Sequence, residues 1–114
     1  MENPQLLNLV EKVLDERKAL NVKVLDVKQR TAITDYMVVA TATSSRHARA
    51  LCDYIAEEIK AAGELPLGLE GQQGSDWVLL DLGDVIVHVM TTQAREFYQL
   101  EKLWSAAPVA KTGE

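Results

Sequence analysis

The stretch that decides the fold is residues 76–90, DWVLLDLGDVIVHVM. Two runs of β-branched and large apolar residues, Trp77–Asp81 and Val85–Met90, flank the tripeptide Leu82-Gly83-Asp84. Such runs favour strands, and a glycine between them permits the backbone angles of a tight turn. The stretch therefore predicts an antiparallel β-hairpin.

Before this hairpin, hydrophobic periodicity predicts two helices. An Asn-Pro pair suited to a helix start precedes apolar residues at helical spacing, so the first helix is expected over about residues 4–19. The second helix should begin at a cap on Ser44 or Ser45 and stop at Gly63. Its apolar stripe consists of Ala48, Leu51, Cys52, Ile55 and Ile59.

Two segments between the helices have the composition of strands, and a third precedes the hairpin. Residues 22–27 are rich in β-branched side chains, while residues 36–42 form a nearly continuous apolar run that favours a central strand. Residues 65–70 contain Pro66 and Gly68, so a short strand there is expected at a sheet edge.

After the hairpin, Thr91 or Thr92 can cap a last helix with apolar residues at Phe97, Leu100 and Trp104. The order of elements predicts a single α/β domain over residues 1–105, with a mixed β-sheet packed by helices in two or three layers. Residues 106–114 are small and polar, so a flexible tail is expected there.

The composition excludes several classes of protein. With 114 residues, 47% of them hydrophobic and three prolines, the chain is neither collagen-like nor low-complexity nor disordered. No apolar run approaches the ~20 residues that span a bilayer, and the start lacks the pattern of a signal peptide. The single cysteine, Cys52, fits a reducing compartment. We therefore expect a cytoplasmic protein that does not act on a membrane.

The net charge of −5 is unevenly distributed. Residues 1–57 carry eight basic and eight acidic side chains, whereas residues 58–114 carry four basic and nine acidic ones. The 34 residues between Lys60 and Arg95 lack Lys and Arg, but they contain Glu64, Glu70, Asp76, Asp81 and Asp84. Because binding to phosphates depends on basic side chains, a basic protein is a better match for this half than nucleic acid.

The sequence contains neither a nucleotide-binding loop nor a metal-binding motif. The patterns G-x-x-x-x-G-K-S/T and G-x-G-x-x-G do not occur, and both histidines stand outside any zinc motif. Asp81 and Asp84 are interpreted as turn residues, with a Mg²⁺-binding or acid–base pair as the alternative. Arg46, His47 and Arg49 are interpreted as a solvated helix face, with an anion site as the alternative. No catalytic residue, metal or cofactor is assigned.

Trp77 and His88 lie on the two strands of the predicted hairpin. A tryptophan here suits a core or an interface, and the lack of basic residues around it favours an apolar interface with a charged rim. His88 alternates with two valines, which favours a hydrogen-bonded structural histidine whose partner the sequence does not identify. Cys52, on the apolar stripe of a helix, is interpreted as a core residue.

Five runs of this sequence resemble the ribosomal silencing factor family, also called the RsfS, Iojap or YbeB family. They are TDY (34–36), ATATSSRH (40–47), GLEG (68–71), DWVLLDLGDVIVH (76–88) and REFYQLEKLW (95–104). The resemblance covers about residues 4–105 in the family's order and spacing. The hairpin D-x-G-D-V-I-V-H followed by F-Y-x-L-E-x-L-W is far more specific than any short motif.

The resemblance implies a nucleotidyltransferase-like fold without its catalytic motif, and hence no enzymatic activity. It implies binding to the basic ribosomal protein number fourteen of the large ribosomal subunit, steric blocking of small-subunit joining, and repression of translation under nutrient limitation. By position in the motifs, the candidate contact residues are Glu70, Trp77, Asp81, Leu82 and Asp84. Tyr36 and His88 match the motifs without an assigned role.

Two other functions remain open on the sequence alone. A metal-dependent enzyme that processes nucleotides or phosphates would use Asp81, Asp84 and the helix start at Arg46 and His47. A ribosome-assembly adaptor would bind the same partner without preventing the subunits from joining. A homodimer and a peripheral contact with ribosomal RNA are compatible with the same resemblance.

Overall fold

The computed structural model describes residues 3–71 and 74–99, which form three helices and five strands. The helices are α1 (Asn3–Glu16), α2 (Ser45–Ala61) and α3 (Thr92–Tyr98). The strands are β1 (Leu20–Asp26), β2 (Tyr36–Ala42), β3 (Gly68–Glu70), β4 (Trp77–Asp81) and β5 (Val85–Thr91). Within these residues, no helix has both the length and the apolar character needed to cross a membrane.

The five strands form one mixed sheet in the order β1-β2-β5-β4-β3. β2 and β5 are parallel neighbours, and the other neighbouring pairs are antiparallel. The predicted hairpin consists of β4 and β5, which pair Trp77 with Met90 and Asp81 with Ile86. The predictions of an interior strand at residues 36–42 and of a short edge strand near residue 70 are confirmed.

Helices cover both faces of the sheet, so the α/β domain has three layers. α1 and α2 pack on one face, which we call the helix-pair face; its core includes Leu14, Leu51, Ile55, Val87 and Val89. α3 packs on the opposite face, which we call the α3 face, where Ala94 joins Val39 and Met90 in a second buried cluster. Because α3 is only seven residues long, Leu79 on this face remains partly exposed.

β2 and β5 each bury six of their seven residues, since helices lie on both sides of them. This burial explains why both strands are nearly continuous apolar runs instead of alternating apolar and polar residues. The connection from β2 to its parallel neighbour β5 passes through α2, β3 and β4. The sheet therefore brings together residues that are about fifty positions apart in the sequence.

The helix ends confirm two predicted caps and correct one boundary. Ser44 caps α2, its Oγ accepting the N–H of His47 at 3.0 Å, and Thr91 caps α3 in the same way. The first helix ends at Glu16 and not near residue 19, because Lys18 adopts a left-handed φ of 68° that interrupts the helical backbone.

Several expectations for the end of the chain lie outside the described residues. They concern Leu100 and Trp104 in the last helix, the boundary at residue 105 and the tail at 106–114. Phe97 is described, and it is not buried as helical spacing suggested: 79% of its surface is exposed. The buried residue of α3 is Ala94, which faces the sheet.

We predict that alanine destabilises the fold more at Gly71 than at Gly74. Both glycines have positive φ angles, +114° and +90°, so alanine strains the backbone at either position. A Cβ at Gly71 would also lie 2.9 Å from the carbonyl oxygen of Trp77 and 3.0 Å from Cα of Val78, whereas no described atom lies within 4 Å at Gly74.

We expect Gly71→Ala to lower the free energy of unfolding by about 3 kcal/mol and Gly74→Ala by about 1 kcal/mol. Urea unfolding followed by circular dichroism measures both values under the same conditions. Equal losses at the two positions would contradict the close approach of the loop to β4.

Candidate interaction surface

The strand register places three of the five predicted contact residues on the α3 face. Trp77, Leu79 and Asp81 alternate along β4 and therefore point to one side of the sheet. Trp77 packs against the buried cluster on the α3 face, which identifies that side. Glu70 is paired with Leu79 across the strands and belongs to the same face. Glu70 is exposed, while Trp77 and Asp81 are half-buried.

The other two predicted residues, Leu82 and Asp84, lie in the turn between β4 and β5. Leu82 is half-buried and packs against the core of the helix-pair face. Asp84 is exposed, and its carbonyl oxygen accepts the N–H groups of Asp35 and Tyr36, each at 3.0 Å. The five residues are thus divided between one sheet face and the turn at its end.

Trp77 is the hydrogen-bond partner that the sequence did not identify for His88. Its indole Nε1–H donates to Nδ1 of His88 at 3.0 Å. His88 is only 5% exposed and lies between Leu79 of β4 and Val39 of β2, on the α3 face. The prediction of a hydrogen-bonded structural histidine is therefore confirmed.

The same hydrogen bond assigns the tautomer of His88. Because Nδ1 accepts this hydrogen bond, the neutral ring carries its proton on Nε2, and no described residue accepts from that buried nitrogen. Burial lowers the pKa of His88 from its ordinary value to about 4. The ring is therefore neutral at physiological pH and can hold the indole of Trp77 in place.

Three aromatic rings form a continuous surface that runs from β4 onto α3. The ring centroids of Trp77 and Tyr98 are 4.7 Å apart, and those of Tyr98 and Phe97 are 4.9 Å apart. Tyr98 is 53% exposed and Phe97 is 79% exposed. The rings border a groove of about 520 Å³ that Ser75 and Asp76 also line. We call this the aromatic groove.

Sequence reasoning selected neither Phe97 nor Tyr98 as a contact residue for the ribosomal partner. Phe97 was assigned to the apolar side of the last helix, and Tyr98 was given no role. The available signal was the F-Y pair that follows the hairpin in the family motif. Two large aromatic rings that remain exposed beside a half-buried tryptophan are typical of an interface anchor.

The predicted turn role of Asp81 is confirmed. Its Oδ1 accepts the N–H of Gly83 at 2.9 Å, and the N–H of Leu82 donates to the carbonyl of Val85 at 2.9 Å to close the hairpin. The carboxylate of Asp81 therefore stabilises the turn, while the carboxylate of Asp84 is exposed. Among the described residues, no three His, Cys, Asp or Glu side chains are grouped so that they could hold a metal ion.

The interpretation of His47 as part of a solvated helix face is wrong. His47 is half-buried, and its Nδ1 accepts the N–H of Thr43 at 3.0 Å. Its Nε2–H therefore donates to the carbonyl of Arg17, 2.9 Å away. The Nε2 bond thus ties the start of α2 to the end of α1, the Nδ1 bond holds Thr43 just before the cap of α2, and neither nitrogen is available as a catalytic base. Arg46, as predicted, is exposed.

Cys52 and Tyr36 support the fold on the helix-pair face. Cys52 is completely buried, as predicted for a core residue, and burial raises the pKa of its thiol to about 12. Tyr36 is half-buried against the same core, and its hydroxyl accepts a hydrogen bond from Nζ of Lys28 at 2.8 Å. Neither side chain lies on the face that carries Trp77.

Comparison with known proteins gives consistent similarities. Residues 1–114 match the family described as "Ribosomal silencing factor during starvation". The "Ribosomal silencing factor RsfS" of Haemophilus influenzae is 43% identical over 100 residues, which cover 88% of this chain and 98% of that protein. A crystal structure of a protein from Chromobacterium violaceum has a TM-score of 0.89 and 35% identity, covering 99% of this chain and 95% of that one.

A more distant similarity concerns a eukaryotic protein. "Mitochondrial assembly of ribosomal large subunit protein 1" of Mus musculus is 30% identical over 102 residues. The match covers 87% of this chain but only 45% of the mouse protein. The domain described above is therefore similar to one part of a longer chain.

We predict that His88 makes the fold sensitive to acid. The pKa of an unfolded histidine is about 6.5, whereas the pKa of buried His88 is about 4. The unfolded chain therefore binds the proton first as the pH falls. The contribution of neutral His88 to the free energy of unfolding should be fully present above pH 6.5 and should be lost between pH 6.5 and pH 4. The free energy of unfolding should therefore fall by about 2 kcal/mol from pH 7.5 to pH 5 because of this residue.

Urea unfolding of the wild type and of His88→Phe at these two pH values measures this loss. The variant should lack it, and the contributions of the other titrating groups, which are present in both proteins, cancel in the comparison. An NMR titration of the His88 ring gives the folded pKa directly. A midpoint near 6.5 would contradict the burial and the hydrogen bond described for this residue.

Proposed function

The chain belongs to the ribosomal silencing factor family, and from this premise we propose that it silences ribosomes by binding the large subunit. The proposed contact is the basic ribosomal protein number fourteen, on the face that the small subunit joins. The bound domain would block joining sterically and so repress translation when nutrients are scarce. The observation that carries the proposal is the combination of exposed aromatic rings and carboxylates on one sheet face.

The charge distribution supports a basic protein as the partner. Glu70 and Asp84 are exposed at the edge of this surface, and no Lys or Arg occurs between Lys60 and Arg95. Arg95 itself donates hydrogen bonds to the carbonyl of Asn21 and, at 2.9 Å, to Oγ1 of Thr41, so it is directed toward β1 and β2. An apolar centre with an acidic rim favours association with a positively charged protein surface.

The choice of the large subunit rests on the family and on one relative. The mouse protein is named for the assembly of the ribosomal large subunit, and this chain resembles it over 87% of its own length. We propose the same partner, the ribosomal large subunit, for the present chain. The proposed place of action is the cytoplasm, where the subunits join, and neither a homodimer nor a peripheral contact with ribosomal RNA is required.

The proposed mechanism needs no chemistry. The described domain measures about 41 × 33 × 22 Å, and its three layers are held by a buried core, so it would act as a rigid obstacle. Two of the four side chains that an enzyme would have used are engaged in the fold, Asp81 in its turn and His47 between two helices. Asp84 and Arg46 are exposed, and neither can rely on these two as catalytic partners. We therefore propose binding without catalysis.

We predict that the double change Glu70→Lys and Asp84→Lys weakens binding to isolated large subunits about tenfold near 100 mM salt. Both side chains are exposed, and no described hydrogen bond uses their carboxylates, so the fold should be preserved. The charge reversal should repel a basic partner, and the effect should shrink at high salt because screening increases. Co-sedimentation with isolated large subunits measures the dissociation constant.

The matched control is Glu11→Lys with Glu57→Lys, which changes the net charge equally on the exposed surface of α1 and α2. This control should bind within about twofold of the wild type. Equal binding by both double variants would remove the α3 face and its turn from the interface.

We further predict that the protein shifts purified ribosomes toward free subunits. Sucrose-gradient profiles recorded after adding the wild type to an equilibrated mixture of subunits should show less joined ribosome and more of both free subunits. The Glu70→Lys/Asp84→Lys variant should have a smaller effect at equal concentration. Binding to large subunits without any change in joining would instead identify an assembly adaptor.

A further inference from the structure

We propose that the aromatic groove is a binding site for one arginine side chain of the partner protein. This inference rests on the proposed function, since it names the chemical group that a basic protein would insert. It involves Asp76, Phe97 and Tyr98, which lie outside the five residues selected from the sequence. The groove has a volume of about 520 Å³ and lies between the start of β4 and α3.

The aromatic side of the groove suits a planar cation. Nε1 of Trp77 is satisfied by His88, so this indole needs no further acceptor and can offer the exposed part of its ring. Tyr98 and Phe97 extend the aromatic surface and are more than half exposed. A guanidinium is weakly hydrated and stacks on aromatic faces, which attract positive charge.

The acidic side of the groove is Asp76. Its carbonyl oxygen accepts the N–H of Thr91 at 2.9 Å, which fixes the backbone of this residue beside α3. Asp76 is exposed, and within residues 3–71 and 74–99 no hydrogen bond or ion pair engages its carboxylate. A free carboxylate beside aromatic rings can accept two parallel hydrogen bonds from a guanidinium.

The groove does not obtain its cation from the nearest basic residue of the chain. The nearest one along the sequence, Arg95, is hydrogen bonded to Asn21 and Thr41 on the β1 and β2 side of α3. Among the described residues, no Lys or Arg lines the groove, and we therefore assign the positive charge to another molecule. The carboxylate disfavours an anionic ligand such as a nucleic-acid phosphate, because like charges repel.

Arginine fits these features better than lysine. Stacking and a bidentate ion pair both require the flat, forked guanidinium, whereas an ammonium acts as a point charge. The preference therefore follows from the presence of rings and a carboxylate in the same groove. The rings alone, or the carboxylate alone, would attract an arginine and a lysine side chain without distinguishing them.

The first test uses variants in co-sedimentation with large subunits. Asp76→Asn removes the charge without changing the shape, and Tyr98→Leu removes a ring. Each should raise the dissociation constant about tenfold, as loss of an interface anchor does. The matched controls are Glu11→Gln, which removes one charge on α1, and Tyr98→Phe, which keeps the ring. Both controls should bind within about twofold of the wild type, and thermal melts of all four variants should confirm folding.

The second test examines the groove without the ribosome. The probe is N-acetyl-arginine amide, added at millimolar concentration to the isotope-labelled protein and followed by NMR. It should shift the backbone signals of Asp76 and Tyr98 and the indole N–H signal of Trp77. Nα-acetyl-citrulline amide has nearly the same shape without the charge and should leave these signals unchanged. Nα-acetyl-lysine amide, which keeps its charged ε-ammonium group, should bind more weakly than the arginine probe.

The outcomes separate this inference from the proposed function. Wild-type protein that does not bind large subunits overturns the proposed function and the partner named here, while the probe still decides whether the groove holds a guanidinium. Normal subunit binding by Asp76→Asn overturns the groove as an anchor and leaves the proposed function standing. Changes in self-association alone, measured by sedimentation velocity, would assign the groove to a second copy of the chain and also overturn the inference.

Discussion

The fold depends on keeping β5 away from water on both of its faces. This strand is hydrogen bonded to β2 on one edge and to β4 on the other, and six of its seven residues are buried. Such a strand is stable only if each face of the sheet is covered by apolar groups. α1 and α2 cover one face completely, whereas the short helix α3 covers the other with the help of Trp77.

The candidate surface follows from that unequal coverage. His88 is a polar residue on the less covered face of β5, and burying its Nδ1 costs free energy unless that nitrogen accepts a hydrogen bond. Trp77 supplies this bond from the neighbouring strand, and its large ring also covers apolar surface. The indole is thus half in the core and half at the surface, where Tyr98 contacts it. The aromatic groove is therefore continuous with the core through Trp77, and the same contacts that complete the sheet hold this ring in place.

The sequence predicted those elements whose signal is local. The hairpin, the strand Tyr36–Ala42 and the cap at Ser44 each follow from a short pattern, and the structure confirms them. The parallel pairing of β2 with β5 could not be predicted in this way, because it joins segments separated by α2, β3 and β4. The early end of α1 depends on the left-handed backbone at Lys18, a residue with no glycine-like signal.

The candidate site was predicted by composition more than by geometry. Trp77 was selected as a contact residue and His88 was interpreted as a hydrogen-bonded structural residue. Their hydrogen bond depends on the register of the hairpin, in which Leu79 lies opposite His88. Alternation along β4 explains why Trp77 and Asp81 share a face. The alternation does not extend through the turn, so Leu82 packs on the helix-pair face although it is adjacent to Asp81.

The carboxylates of this half of the chain have different physical roles, which a net charge of −5 conceals. Asp81 is engaged in the turn, whereas Glu70 and Asp84 are exposed and act at a distance. Because charges are screened over about 8 Å at physiological salt, exposed carboxylates mainly accelerate the approach of a basic partner. Asp76 differs because it lies beside aromatic rings, where contact excludes water and a charge pair is screened less. Affinity should therefore depend on both features: the aromatic groove holds and orients the bound partner, while the acidic rim raises the rate at which the partner associates.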